Sequence, residues 1–133
     1  MTFRLYIRFL ALCYFVGFAL HALDLFGARL DFQKMNTLWK AWTLSLLCAD
    51  LLAALGLWLR TRWGIGLFFT IASSQLVAYI GFSRVFGNQS FLIGFHLITV
   101  GLFLVLAWRN GKPVVQLPSR SPGSLRNIDK PIE

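Results

Sequence analysis

Four side chains suited to proton transfer or metal ligation stand within apolar stretches of this chain: His21, Asp24, Asp50 and His96. On the first stretch, Tyr14, Gly17, His21 and Asp24 recur at intervals of three or four residues, which puts them on one helical face. His21 and Asp24 lie one turn apart, so the carboxylate can fix one imidazole tautomer, or the two can form a simple capping pair. Asp50 is the costliest of the four. On the lenient insertion scale, an ionised carboxylate at the centre of a membrane helix costs about 2.5–3.5 kcal/mol, so Asp50 must be neutral, paired or beside water. The expected partners are Gln75 and a polar side chain of the first helix. Gln75 and Tyr79, four residues apart on the third stretch, share a face and extend the same chemistry. Together Asp50, Gln75, Tyr79 and Tyr14 make a candidate intramembrane polar network, suited to interhelical hydrogen bonding or to a quinone, a lipid headgroup or a water chain.

His21 and His96 fall at similar depth on antiparallel helices. That is the minimum for axial ligation of a haem b, and with Asp24 the same residues supply the donor types of a non-haem metal site. Gly17, Gly94 and Arg84 can be invoked to admit the macrocycle and hold its propionates. The plainer alternative is that both histidines make polar contacts within the bundle. Cys13 and Cys48 have neither CxxC spacing nor an adjacent histidine and read as small packing residues.

The elements that must position these groups are four long apolar runs, approximately residues 5–26, 38–59, 63–83 and 90–108. Each suits the roughly 20 residues of helix that cross a hydrocarbon core of about 30 Å. With 57% hydrophobic residues in 133, the chain has little room for a separate soluble domain. Arg4 and Arg8 before an apolar run suggest a signal peptide, but His21–Asp24 is no small-residue cleavage site, and the run reads as retained. The fold class that follows is all-α, a polytopic membrane protein built as a four-helix transmembrane bundle over residues 1–111. A basic tail rich in proline and serine, residues 112–133, follows it. Its prolines exclude one continuous helix and it offers little apolar area for folding.

The formal charge of +8 invites a nucleic-acid reading, but the thirteen Lys and Arg residues are scattered among termini and loops and form no basic groove. They report topology. Nine positive residues, including Arg60, Arg62, Arg109 and Lys112, fall on one side of four crossings and four on the other, which places both termini in the cytoplasm. Arg60, Arg62, Arg109 and Lys112 are then the candidate contacts with the membrane surface. Trp39 and Trp42 at one boundary, with Trp58 and Trp63 at the other, fit aromatic belts. Asn36–Thr37 offers caps for the second helix, Gly64, Gly66 and Ala72 permit close helix approach, and Val85–Ser90 reads as a turn.

Trp63–Gly64, the stretch Gln75–Tyr79, Phe86–Gly87 and Phe95–His96–Leu97 resemble a group of small uncharacterised four-span inner-membrane proteins of alphaproteobacteria. The resemblance covers about half the chain. It implies a bacterial inner membrane, cytoplasmic termini and a compact bundle, and it transfers no activity.

No His-rich metalloprotease pattern, phosphate-binding glycine loop or Ser–His–Asp arrangement points to an enzyme. The functional expectation is therefore an accessory or structural membrane subunit that meets another membrane protein or a second copy of itself in the lipid bilayer. The rival class is a bis-His haem electron carrier or a proton-coupled transport component that uses Asp50.

Overall fold

A computed structural model describes residues 2–28, 31–87 and 89–111. The candidate tail and Lys112 lie outside the described residues. Among the described residues four helices are long and apolar enough to cross a membrane: α1 (Phe3–Leu25), α2 (Thr37–Trp58), α3 (Arg62–Leu76), which runs on through a π-helical turn at Val77–Gly81, and α5 (Ser90–Arg109). A single helical turn, α4 (Ser83–Phe86), occupies part of the segment expected as a plain turn, and a one-turn 3-10 helix, Phe32–Lys34, lies between α1 and α2.

The helix ends follow from local side-chain chemistry. Asn36 Oδ1 accepts from the Trp39 amide at 2.8 Å and starts α2, and Thr61 Oγ1 accepts from the Gly64 amide at 3.2 Å and starts α3. α1 closes with Ala28 N–H to Leu23 O and Gly27 N–H to Asp24 O. Gly27 takes the left-handed φ of 69° that this double closure requires. α2 closes in the same way, with Thr61 N–H to Gly56 O and Arg60 N–H to Leu57 O, but the left-handed residue there is Arg60, at φ 57°. The helix end thus carries a cation where glycine would fit at lower backbone cost. Between α1 and α2, Lys34 Nζ stands 2.8 Å from Asp31 Oδ2, and that hydrogen bond holds the exposed Asp31 carboxyl below its ordinary range.

Successive long helices are antiparallel. Arg8, early in α1, lies over the Trp58 ring at the end of α2, 5.7 Å from its centroid. At this terminal end of the bundle, Arg60, Arg62 and Arg109 are all exposed. At the far end Trp39 and Trp42 pack on Phe86 of α4, with ring centroids 5.4 and 5.3 Å apart. The terminal half is filled by apolar and aromatic side chains. Phe68 and Phe103, both essentially inaccessible, have ring centroids 5.7 Å apart, and Phe3 and Phe69 make edge contacts with Phe103. The outward surfaces of all four long helices are apolar, with Phe15, Leu55, Ile80 and Val105 each more than half exposed. A bundle with that surface is suited to solvation by lipid.

Of the small residues expected to admit close packing, Gly64 does so and Gly66 does not. A Cβ on Gly64 would fall 2.6 Å from Gly56 Cα, so α2 and α3 meet backbone to backbone beside their turn, where the Thr61 hydroxyl also donates to Gly56 O at 3.0 Å. Among the described residues nothing lies within 4 Å of a Cβ on Gly66. The cysteines also depart from expectation: Cys48 is exposed on the bundle surface and Cys13 is only half-buried. Gly64→Ala should therefore cost about 1–3 kcal/mol through overpacking against backbone, whereas Gly66→Ala should be neutral or stabilising by helix propensity. Unfolding of the two variants in detergent, followed by circular dichroism, measures the difference.

Candidate functional site

Beyond the aromatic half the bundle is hollow. α1 and α5 meet at mid-bundle, where the Tyr6 hydroxyl donates to Thr99 O. Towards the far end a cavity of about 470 Å³ lies between them. Its walls are apolar: Phe9, Leu12, Val16 and Leu20 from α1, and Phe91, Leu92 and Phe95 from α5. Several wall residues, notably Leu12, Val16 and Phe91, are more than half exposed, so the cavity opens sideways onto the apolar surface of the bundle.

Its floor is polar. Asp50 comes from α2, Gln75 and Tyr79 from α3 and its π-helical extension, His96 from α5, and Tyr14 and His21 from α1. All of these except His21 are at least 95% buried. The structure thus gathers the four members of the expected polar network and both histidines around one space. Asp24, also buried, is not among the lining residues.

Two interactions organise the floor. Asp50 lies against the α1 backbone at Gly17, where a Cβ would stand only 2.6 Å from Asp50 Oδ2; the missing side chain is what lets the carboxyl approach. There His21 stands between two carboxylates, with Nε2 at 3.8 Å from Asp50 Oδ2 and Nδ1 at 3.8 Å from Asp24 Oδ2. The second interaction joins α3 to α5: His96 Nε2 and Gln75 Oε1 are 3.0 Å apart. An amide oxygen only accepts, so the imidazole nitrogen donates. The helix-one partner expected for Asp50 is therefore His21, while Gln75, also expected beside Asp50, bonds His96 instead. Asp50 Oδ1 and His96 Nδ1 are buried without a hydrogen-bond partner among the described residues.

Other polar residues of the spans are spent within their own helices. The Thr70 hydroxyl donates to Gly66 O, Ser74 to Ile71 O, and Thr99 to Phe95 O and His96 O. Tyr14 donates across to Phe68 O at 3.4 Å. The expected grouping of His21, Asp24 and His96 as a metal site is not assembled: among the described residues no three His, Cys, Asp or Glu side chains converge as ligands. The residues invoked to admit a haem also disperse. Gly17 adjoins Asp50, Gly94 faces open space, and Arg84 is exposed on α4.

Sequence reasoning did not find the π-helical turn, which carries Tyr79 to the floor; such turns are frequent where a helix serves a site. Nor did it find the pairing of Gln75 with His96. The types of both residues were a signal, but nothing in the spacing across two spans gives their register.

A bundle of four apolar helices around a laterally open cavity with a polar floor defines a small helical protein of membrane type. Over residues 1–111 the chain matches a family described as a family of unknown function, DUF6163, and it belongs to that family. No curated protein and no solved structure matches it.

The His96–Gln75 bond makes a two-step energetic prediction. Gln75→Leu strands a buried imidazole N–H and should cost about 1–3 kcal/mol, while Gln75→Leu/His96→Phe, which removes both partners, should recover most of that loss. Detergent unfolding midpoints of the two variants check it.

Proposed function

We propose that this chain is a small accessory subunit of a bacterial inner membrane, crossing it four times with both termini in the cytoplasm, and that its cavity holds a molecule drawn from the surrounding lipid. The observation that carries the reading is the cavity itself. A space of about 470 Å³ falls in the size range of small-molecule sites, and it combines apolar walls with a few convergent polar groups. Its mouth lies on the face that lipid would cover, so an occupant arrives from the bilayer without crossing water. The orientation is supported by the excess of Lys and Arg, with Arg60, Arg62 and Arg109 at one end of the bundle. As an accessory subunit, the chain would present this occupant to another membrane protein or to a second copy.

Native mass spectrometry of the full chain, extracted in mild detergent, tests both parts. The expected spectrum holds a nonprotein mass together with a protein partner or a homo-oligomer. The nonprotein mass should be lost in Val16→Trp, which narrows the mouth at a position already more than half exposed. An identical bound mass in wild type and variant, or none in either, would exclude the cavity as its holder. Recovery only as monomer would exclude the accessory role.

One observation favours a second reading, the bis-His haem carrier: His21 and His96 line the same cavity. An absorption spectrum after expression with ample haem decides it, since a Soret band lost in both His21→Ala and His96→Ala is required.

A further inference from the structure

Two acceptor atoms on the floor of the cavity lack a donor among the described residues. His96 Nε2 is committed to Gln75 Oε1, which leaves Nδ1 of the neutral ring as a lone-pair acceptor, buried and without a partner. Asp50 Oδ1 is a second buried oxygen without a partner. Both residues are 97% buried and line the cavity, so these atoms are polar positions that the protein does not satisfy itself. Leaving buried polar atoms unpaired is costly, and an occupant that supplies the missing partner recovers that cost as affinity.

Charge narrows the occupant further. Among the described residues no Lys or Arg lines the cavity, and the His21 ring already faces the Asp50 and Asp24 carboxyl groups, so a phosphate head would meet acceptors with no further cation to balance it. The site favours a neutral head that donates. The walls, Phe9, Leu12 and Val16 facing Phe91, Leu92 and Phe95, suit an apolar tail leading out to the mouth.

We propose that the cavity binds a lipid-phase hydroxyl compound, an apolar tail ending in a neutral O–H head, with the hydroxyl donating to His96 Nδ1 and the Asp50 carboxyl placed to take a second contact. This rests on the reading of the cavity as a lipid-fed site and specifies the chemistry of its occupant. Two sources share that chemistry, an aromatic hydroquinone with an alkyl or isoprenoid tail and an aliphatic prenol. Only binding is proposed.

The test uses the full chain in nanodiscs under anaerobic conditions, with decylubiquinol, its dimethyl ether and solanesol as probes and calorimetry as the readout. The expected result is that decylubiquinol binds about tenfold more tightly than the ether, the scale of one net hydrogen bond. Solanesol binding comparable to the quinol assigns the aliphatic source, and markedly weaker binding assigns the aromatic one. Equal affinity for quinol and ether would overturn the hydroxyl assignment while leaving a lipid-fed cavity in place. Failure of all three probes to bind would remove the cavity reading as well.

His96→Phe should abolish the preference for quinol over ether while the ether still binds. If that variant does not fold, Gln75→Met serves instead, because without the amide oxygen the ring proton is free to occupy either nitrogen and the preference should shrink several-fold. An unchanged preference in a folded variant of either kind would overturn the role of His96.

Discussion

The constraint on which the structure depends is the cost of placing a carboxyl group inside an apolar helical bundle. Asp50 sits near the middle of α2, is almost wholly buried, and reaches the α1 backbone only because residue 17 has no side chain. Once it is there, its surroundings cannot be hydrocarbon alone: a group of this kind needs polar neighbours or access to water. His21, Tyr14, Gln75, Tyr79 and His96 provide a polar environment drawn from all the other long helices. The hollow between α1 and α5 is the form that this environment takes.

The two halves of the bundle divide the work. Around Phe68 and Phe103 the helices are held by aromatic edge and tilted contacts that leave no polar atom to satisfy, and α2 and α3 are locked by the contact of Gly56 with Gly64. Such close packing supplies most of the adhesion between helices when lipid removes the hydrophobic drive for them to associate. The far half gives up this packing and holds titratable groups in place of apolar ones. Packing in one half thus offsets the polar atoms left unsatisfied in the other.

Much of the architecture was legible because membrane-type helices announce themselves by length and composition. The observed long helices agree with the apolar runs to within a few residues, and the Asn36 cap followed from local chemistry. The site was legible residue by residue and not as a constellation. Tyr14, Gly17 and His21 share a face by simple helical periodicity, and all three adjoin the cavity. Which helix each group meets depends on rotation and depth, which apolar runs do not encode. For that reason Gln75 was expected beside Asp50 and is found with His96. The choice between Gly64 and Gly66 depends on the same rotation, and so does the exposure of Cys48. The π-helical turn was invisible because its residues, Val77–Gly81, look like ordinary helix in sequence.

The contrast between the two helices that frame the cavity carries a mechanical consequence. α1 is fastened along α2 by the Arg8–Trp58 stack and the seat of Asp50 on Gly17, whereas α5 is held through Thr99 and Phe103 and reaches α3 in the hollow half through His96. Its leading end follows Gly87, whose backbone takes a left-handed φ of 73°. α5 is therefore arranged like a lever, with its fulcrum around Phe103 and its arm held by two polar latches, Tyr6–Thr99 and His96–Gln75. Outward displacement of its leading arm would strain these two hydrogen bonds before it reached the Phe68–Phe103 packing.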